Sequence, residues 1–188
     1  IEPHESLFKS SKEPILNKLY AFVVATCIWI PCVRFLFPVH LSDYRQENKI
    51  APKAQMLVEK HLALWRDPIM RKKELYKMQQ RNPEWDFMSR TYFVLALSNM
   101  ALHDPTKADI VCEIIDAIIE NTMDMEAYKG QEYFLMGYAQ SSPWVITPAR
   151  SLFVDGEIAM MMAARRFVRE KKSYKTEIQS RAKIMLER

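Results

Sequence analysis

Hydrophobic residues are spaced along this chain in two alternating helical patterns. Residues 91–102 and 158–164 are apolar on every side of a helix, which is typical of helices enclosed by other protein. The segment that follows each of them is apolar on one face only; the first such segment has isoleucine or valine at positions 110, 111, 114, 115, 118 and 119. No segment alternates convincingly with the period of two that a half-buried strand requires. The pattern therefore predicts an all-α protein.

Proline directly after a capping residue marks where several helices start. Three such pairs precede the longer helices, namely Asn82-Pro83, Asp104-Pro105 and Thr147-Pro148. Pro52 and Asp67-Pro68 open two shorter helices, the second of them strongly basic. Gly130 is expected to end one helix and Ser173 to cap the last. The predicted longer helices are 83–103, 105–128, 148–169 and 174–188.

The order of these helices indicates how they pack. Two enclosed helices, 83–103 and 148–169, are each followed by an amphipathic one. Concentric helical layers need this alternation, because inner helices are covered on both sides and outer helices on one. A helical toroid and an α-solenoid both fit, although no repeat motif can be aligned between the two pairs. Two pairs cannot close a ring, so we expect only the beginning of a toroid-like domain.

Residues 19–39 form the most apolar stretch, with one charge, Arg34, and two prolines. A helix of this length can cross a hydrocarbon core of about 30 Å. A secretory signal peptide fits less well, because no small-residue cleavage site follows the long apolar stretch. A buried core helix broken at Pro31 is the other alternative. We expect residues 1–45 to be a tail and a single-pass transmembrane anchor, and residues 46–188 to be a helical domain.

The charges and cysteines of the chain argue against some classes of partner and favour one location. The net charge is +4, and no block of Lys and Arg interleaved with aromatic residues suggests a nucleic-acid surface, so we expect no nucleic-acid partner. Basic residues are slightly more frequent after residues 19–39 than before them, which favours a cytoplasmic main body. The basic run 69–81 is an exposed face that membrane lipid could also contact. Cys27, Cys32 and Cys112 lack metal-binding spacing and are expected to be reduced.

Three charged residues lie near the start of the second enclosed helix, namely Arg150, Asp155 and Glu157. Such charges are costly unless they are paired or face a cavity. Asp155 and Glu157 are two residues apart and so point in different directions; both are candidate catalytic residues, with Glu157 as general acid or base. Gly156 between them would let a backbone or a ligand approach closely. The alternative is an ion pair of Glu157 with Arg150 or Arg90, which Glu157→Gln would break with a loss of stability.

Aromatic and charged residues near the starts of the enclosed helices are candidates for substrate binding. They are Trp85, Asp86, Arg90, Tyr138, Trp144 and Arg150, with Tyr92 and Tyr133 as further aromatic residues for an apolar pocket. Asp86 and Arg90 are i, i+4 partners, a pair that adds roughly 0.3 kcal/mol to helix stability when it is exposed. Aromatic residues at this density are also typical of an ordinary core.

Two segments resemble an enzyme family. Residues 89–105 resemble an early inner helix of the linalool dehydratase/isomerase family, and residues 151–164 resemble its next inner helix, with Gly156 at the matching glycine. Membrane-anchored bacterial proteins similar to this chain carry the run Pro-Ala-Arg-Ser-Leu-Phe-Val-Asp-Gly-Glu at 148–157 almost unchanged. The resemblance covers about residues 50–188. It implies an (α/α)6 toroid that removes water from, and isomerises, monoterpene alcohols without a metal or organic cofactor.

The chain departs from the family pattern at the site itself. Glu157 follows Gly156 where the family has its catalytic histidine, and the family's catalytic cysteines would lie beyond residue 188. A desolvated carboxyl group can also hold or release a proton near neutral pH, so an acid–base role can survive this change.

Three functions from different classes fit these observations. The first is a membrane-anchored lyase or isomerase for an apolar, terpenoid-type substrate, which needs a cavity and a protein partner or further chain to complete the ring. The second is a non-catalytic accessory subunit of a larger membrane protein complex, which needs a partner surface. The third is a soluble helical scaffold in which residues 19–39 are buried in protein.

Overall fold

The computed structural model describes residues 13–38, 40–47, 49–140, 147 and 149–187, and the regular structure in these residues is helical throughout. The α-helices are α1 (Glu13–Leu36), α2 (Leu41–Tyr44), α3 (Pro52–Arg66), α4 (Pro68–Arg81), α5 (Pro83–His103), α6 (Ala108–Lys129), α7 (Gly137–Gln140), α8 (Leu152–Val168) and α9 (Lys172–Leu186). Two 3-10 turns, Pro105–Lys107 and Gln131–Phe134, precede and follow α6. The predicted all-α class is confirmed.

The chain divides into two compact units, residues 1–43 and residues 44–188. In the first unit, α1 contains an apolar stretch of 22 residues, Ile15–Leu36, with a mean hydropathy of 1.9. This stretch is long and apolar enough to cross a membrane, and a signal sequence near the N-terminus would have the same properties. The helix starts and ends earlier than the predicted span, and Pro31 lies within it instead of breaking it.

Local sequence correctly predicts the starts of α3, α4 and α5. At the start of α4, the Asp67 side chain accepts hydrogen bonds from the amides of Ile69 and Met70 at 2.9 and 3.0 Å. At the start of α5, the Asn82 side chain accepts from the Trp85 amide at 2.9 Å. These acceptors satisfy amides that have no partner within the helix, which is why they define the first turn.

The predicted caps Asp104 and Ser173 are wrong, whereas the predicted terminating glycine is confirmed. The Asp104 side chain accepts from the Thr106 hydroxyl and caps no helix amide, and a 3-10 turn separates it from α6. Lys171 precedes α9 without a side-chain cap, so Ser173 lies inside that helix. Gly130 ends α6 with φ of 80°, a left-handed conformation that glycine adopts without steric cost.

The start of α8 also differs from the prediction. The helix begins at Leu152, four residues after the predicted start at 148. Ser151 caps it, since its hydroxyl accepts from the Val154 amide at 3.4 Å. Thr147 lies outside the helix, and Pro148 lies outside the described residues. A capping residue followed by proline is compatible with a helix start but does not require one.

Side-chain contacts between the helices define their relative directions. Arg90, early in α5, donates to Asn121, late in α6, at 2.8 Å. Arg169, directly after α8, lies 3.0 Å from Asp109 at the start of α6. Both α5 and α8 therefore run antiparallel to α6 and parallel to each other. They also pack directly against one another, while α9 packs against α8.

The core of the second unit lies between α5, α6 and α8. Its fully buried side chains are Phe87, Val94, Leu97, Ile115, Ile118, Ile119, Phe134, Val154, Ile158, Met161 and Met162. The apolar stripe predicted for α6 faces this core except at Ile110, which is 56% exposed. Burying such side chains is the main source of stability for a domain of this kind.

One face of α5 and one face of α8 are exposed in the described part of the chain. Trp85 and Tyr92 on α5 are 71% and 63% exposed, and Phe167 on α8 is 80% exposed. The prediction that both helices are enclosed on all sides is therefore wrong for these residues, because their neighbours in the second unit cover only half of each helix. Toroids, solenoids and bundles all contain helix pairs packed in this way. The closed ring therefore stays a prediction.

Candidate functional site

The start of α8 carries a buried cluster of charged residues. Asp155 is 1% exposed, and both of its carboxylate oxygens accept from guanidinium groups. Arg150 Nε donates to Oδ2 at 3.0 Å, and Arg181 Nη1 donates to Oδ1 at 2.8 Å. Arg150 Nη2 and the Gln131 side-chain amide also donate to Oδ1. These donors stabilise the carboxylate and occupy both oxygens.

Glu126 on α6 shares the same arginine. Arg181 Nη1 and Nη2 donate to Oε1 and Oε2 at 3.0 and 2.5 Å, and Gln131 Nε2 donates to Oε1 at 2.7 Å. Burial by itself raises the pKa of Glu126, but the hydrogen bonds from Arg181 and Gln131 and the charges of Arg181 and Arg150 outweigh it, so this pKa lies below its usual value. Arg181 Nε lies 2.9 Å from Glu177 without the alignment of a hydrogen bond, so that contact is an ion pair only.

We call Glu126, Gln131, Arg150, Asp155 and Arg181 the Arg181 cluster. It has two cations and two carboxylates and is therefore neutral overall. It joins α6, α8, α9 and residues 149–151; in addition, the backbone amide of Ser151 donates to the Gln131 side-chain oxygen. Buried charges persist in a fold only when each is paired in this way. The cluster thus fixes the position of the α8 N-terminus relative to the other two helices.

Glu157 lies on a different side of α8 from Asp155, as their spacing predicts. Its Oε2 atom is buried and has no hydrogen-bond partner among the described residues. The predicted ion pair of Glu157 with Arg150 or Arg90 is wrong, because Arg150 binds Asp155 and Arg90 binds Asp86. Of the two acidic side chains at the start of α8, Asp155 is therefore ion-paired, and Glu157 has no ion pair with the described residues.

The sequence predicts that a backbone or a ligand approaches Gly156 closely, and no described residue does so. A Cβ atom placed on Gly156 would meet nothing within 4 Å. One turn later, Met160 is 39% exposed, so this glycine lies on the open face of α8. The missing side chain consequently leaves free space near Glu157 instead of accommodating a neighbouring backbone.

Asp86 and Arg90 form a buried pair, with side chains 1% and 4% exposed, in place of the exposed pair that spacing alone suggests. Arg90 Nε donates to Asp86 Oδ2 at 3.2 Å, and Arg90 Nη1 donates to Asn121 and Thr122 on α6. Asp86 Oδ1 is buried and has no partner in the part of the chain that the structure describes. Burial raises the pKa of Asp86 against the opposing effect of Arg90. The pair thus joins α5 to α6, and its substrate-binding role stays a prediction.

The aromatic candidates do not meet in one pocket. Trp85 lines a groove of about 380 Å³ between α3 and α5, together with Tyr92. The Tyr138 hydroxyl donates to Glu84, and Tyr138 is 70% exposed. Tyr133 lines a different cleft, next to α4. Trp144 lies outside the described residues, so its predicted role remains a prediction.

Sequence patterns missed three residues of the Arg181 cluster, namely Gln131 and Arg181, which donate to Asp155, and Glu126, which accepts from the same two side chains. Arg181 lies on an amphipathic helix whose charges are typical of a solvated face, yet it is 3% exposed. Its i, i+4 spacing from Glu177 is a visible signal, but such spacing normally indicates only a surface pair. Its buried partners Asp155 and Glu126 are 26 and 55 residues away in sequence, so no local pattern identifies them.

Comparisons of the chain with protein-family models, with curated proteins and with solved structures give no match. The likeness to the linalool dehydratase/isomerase family therefore rests on the two quoted segments alone. Among the described residues, no group of three or more His, Cys, Asp and Glu side chains is placed to hold a metal ion.

The low pKa of Glu126 predicts loss of stability in acid. Glu126 contributes stability above its unfolded pKa, ordinarily 4.5, and this contribution is lost as the pH falls through the lower folded value. We expect the melting temperature to fall below about pH 4.5, and to fall less steeply in Glu126→Gln, which has no charge to lose. Glu113→Gln, at an exposed position on the same helix, should keep the parent profile. Equal acid slopes in the two variants, measured by circular dichroism melts, would contradict this role.

Proposed function

We propose that this chain belongs to a membrane-anchored helical protein of the linalool dehydratase/isomerase type, acting as a lyase or isomerase on an apolar, terpenoid-type alcohol. The observation that carries the proposal is the buried Oε2 atom of Glu157, which no described residue hydrogen-bonds. Every other charged group at the start of α8 is neutralised by the Arg181 cluster. Glu157 itself is half-buried, and a carboxyl group that can exchange a proton without breaking an ion pair is a candidate general acid or base.

Glu157 would transfer the proton in both steps of the reaction. In its acid form, it gives a proton to the hydroxyl oxygen of an allylic alcohol, the C–O bond breaks, and water leaves with the bonding electron pair. The resulting carboxylate then takes a proton from the neighbouring carbon, which yields a diene and restores the acid. Return of the water to the other end of the allyl cation, with loss of its proton to the carboxylate, gives the isomeric alcohol.

The other proposed site residues change role in this scheme. Asp155 and Arg150 belong to the Arg181 cluster, and Asp86 with Arg90 joins α5 to α6, so these four position the helices. The exposed face of α8, with Gly156, Met160 and Phe167, supplies apolar surface for the substrate, whereas Trp85 and Tyr92 line a separate groove between α3 and α5. Further helices or a protein partner would enclose that surface.

α1 supports the anchoring part of the proposal. None of its apolar window is buried within the protein, and exposed apolar side chains of this number favour a lipid environment. We expect carbonate extraction to leave the protein in the membrane pellet, and deletion of residues 15–36 to release it. Recovery of the intact protein in the supernatant, or cleavage after α1 that leaves the second unit soluble, would contradict an anchor.

The proposed role of Glu157 is tested in two ways. Turnover of linalool and geraniol is measured by gas chromatography, and stability is measured by thermal melts. We expect Glu157→Gln to lower the turnover rate about 10²- to 10⁴-fold, the usual contribution of a positioned acid–base group. The melting temperature should stay the same or rise, because no arginine loses its partner. Glu113→Gln makes the same chemical change at an exposed site and should alter neither quantity.

Two results would contradict the enzyme. Turnover that Glu157→Gln leaves intact removes this residue from the chemistry. A large drop in melting temperature for Glu157→Gln would mean that its carboxylate has a structural partner after all.

A second candidate function, an accessory subunit of a membrane complex, is favoured by the exposed apolar faces of α5 and α8. Tyr92 and Phe167 are 63% and 80% exposed, and apolar faces of this kind mark protein contacts when their exposed residues are contiguous. If this candidate holds, native electrophoresis of solubilised membranes should show the chain in a larger complex that Tyr92→Glu dissociates. Persistence of the complex in that variant would argue against this surface.

A further inference from the structure

A cleft of about 440 Å³ lies between α4, α5, α6 and the second 3-10 turn. Three cations line it, Arg71, Lys72 and Arg90, and no carboxylate of the described residues is part of its wall. The phenolic hydroxyls of Tyr76 and Tyr133 add two possible donors. A wall of cations and donors without an acidic side chain is suited to an anion.

Trp65 positions two of the three cations. Trp65 is 7% exposed, and the guanidinium carbons of Arg71 and Arg90 lie 5.4 and 5.7 Å from its ring centre. Arg71 Nη1 also donates to the Trp65 carbonyl oxygen at 3.3 Å. Arg90 is further held by Asn121, at 2.8 Å. Side chains fixed before binding lose little entropy when a ligand arrives.

The cleft has an excess of positive charge. Asp86 neutralises Arg90 at 3.2 Å, whereas Arg71 and Lys72 have no carboxylate partner among the described residues. Burial raises the pKa of the Tyr133 phenol, which therefore remains a neutral donor at physiological pH. The two positive charges of Arg71 and Lys72 can therefore be neutralised by an anion that carries more than one negative charge.

We propose that this cleft binds a phosphate group, with Arg71 and Lys72 supplying the charge and Arg90 a fixed guanidinium at its base. Phosphate presents several acceptor oxygens to which arginine can donate two hydrogen bonds at once. Leu75 and Met125 give the cleft an apolar side, which suits the organic part of a phosphate ester. The headgroup of an anionic lipid and a soluble phosphate ester share this chemistry.

Thermal melts of the whole chain in neutral detergent test the proposal. The probes are dihexanoyl phosphatidic acid, inorganic phosphate, and dihexanoyl phosphatidylcholine as the zwitterionic comparison. We expect a saturable rise in melting temperature with phosphatidic acid that weakens as salt is added. A rise with inorganic phosphate as well assigns the binding to phosphate itself, and a rise with phosphatidic acid alone assigns it to the lipid headgroup.

Matched double variants on α4 distinguish the cleft from general basic charge. Arg71→Gln with Lys72→Gln should weaken binding about tenfold or more, because two charge-assisted contacts are lost. Lys73→Gln with Arg81→Gln removes the same charge from exposed side chains of α4 that do not line the cleft, and should leave binding unchanged. The proposal is overturned if neither phosphate probe gives a saturable shift, or if both double variants lose binding equally.

Discussion

Arg181→Ala should lower the free energy of unfolding by about 3–5 kcal/mol, the range found when one partner of a buried ion pair is removed. Arg181 is 3% exposed and donates to both Asp155 and Glu126. Its removal leaves Arg150 as the one cation of the cluster for both Glu126 and Asp155, with Gln131 as their shared neutral donor. The uncompensated charge stays buried at the junction of α6, α8 and α9, so the loss exceeds that of an ordinary surface pair.

Chemical unfolding followed by circular dichroism measures this loss. Lys183→Ala is the matched control, since Lys183 lies on the same helix, has a side chain 77% exposed, and is 3.7 Å from Glu187. An exposed pair of this kind contributes little, so the control should unfold like the parent. A loss for Arg181→Ala no greater than for the control would mean that the Arg181 cluster does not hold α9 against α8.

Phe134→Ala should be the most damaging core substitution in the segment between α6 and α8, with a loss of about 3–5 kcal/mol. Phe134 is fully buried, and its ring centre lies 4.7 Å from that of Phe87 and 5.4 Å from that of Tyr133. Truncation would leave a cavity beneath α5 and release the 3-10 turn that carries Gln131. We therefore expect the Arg181 cluster to loosen as well, which would make the loss larger than the cavity alone predicts.

The comparison with Phe134→Leu separates volume from aromatic contact. Leucine fills most of the space of the ring. Phe134→Leu should therefore lower the free energy of unfolding clearly less than Phe134→Ala does. Tyr128→Ala removes an aromatic ring that is 80% exposed at the end of α6, and it should leave the unfolding transition in place. Equal transitions for Phe134→Ala and Tyr128→Ala would show that the 3-10 turn is not anchored by Phe134.

The Glu157 result links these structural predictions to function. Loss of Arg181 or Phe134 acts on stability, whereas Glu157→Gln should act on turnover alone. If Arg181→Ala also lowers turnover, the effect should follow the fraction of folded protein, because Arg181 acts through the position of α8. Comparing turnover with the folded fraction therefore distinguishes a positioning role from a chemical one.

Sequence alone was sufficient wherever the deciding interaction is local. The starts of α4 and α5 follow from Asp67 and Asn82, because each side chain bonds an amide two or three residues away. The end of α6 follows from Gly130, whose conformation is strained for other residues. The all-α class follows from spacing over one or two turns, as does the stretch in α1 that is long enough for a membrane.

Capping signals fail where a tertiary contact competes with them. The start of α8 moves from 148 to Leu152 in a segment where the backbone amide of Ser151 bonds the Gln131 side chain, 20 residues earlier in the chain. No pattern around Thr147 contains that information. The sequence pattern likewise predicts that α5 and α8 are apolar on every side. Only the neighbouring helices determine which face of each is buried.

The roles of the charged residues were decided entirely by the tertiary structure. Asp155 and Glu157 are equivalent as sequence features, two acids near the start of one apolar helix. Asp155 faces Arg150 and Arg181 and is neutralised, whereas Glu157 pairs with neither and keeps a buried oxygen without a partner among residues 149–187 and the other described ranges. The physical reason is that a buried charge must find its partner in space, and Arg181 reaches Asp155 only after α9 has packed antiparallel to α8.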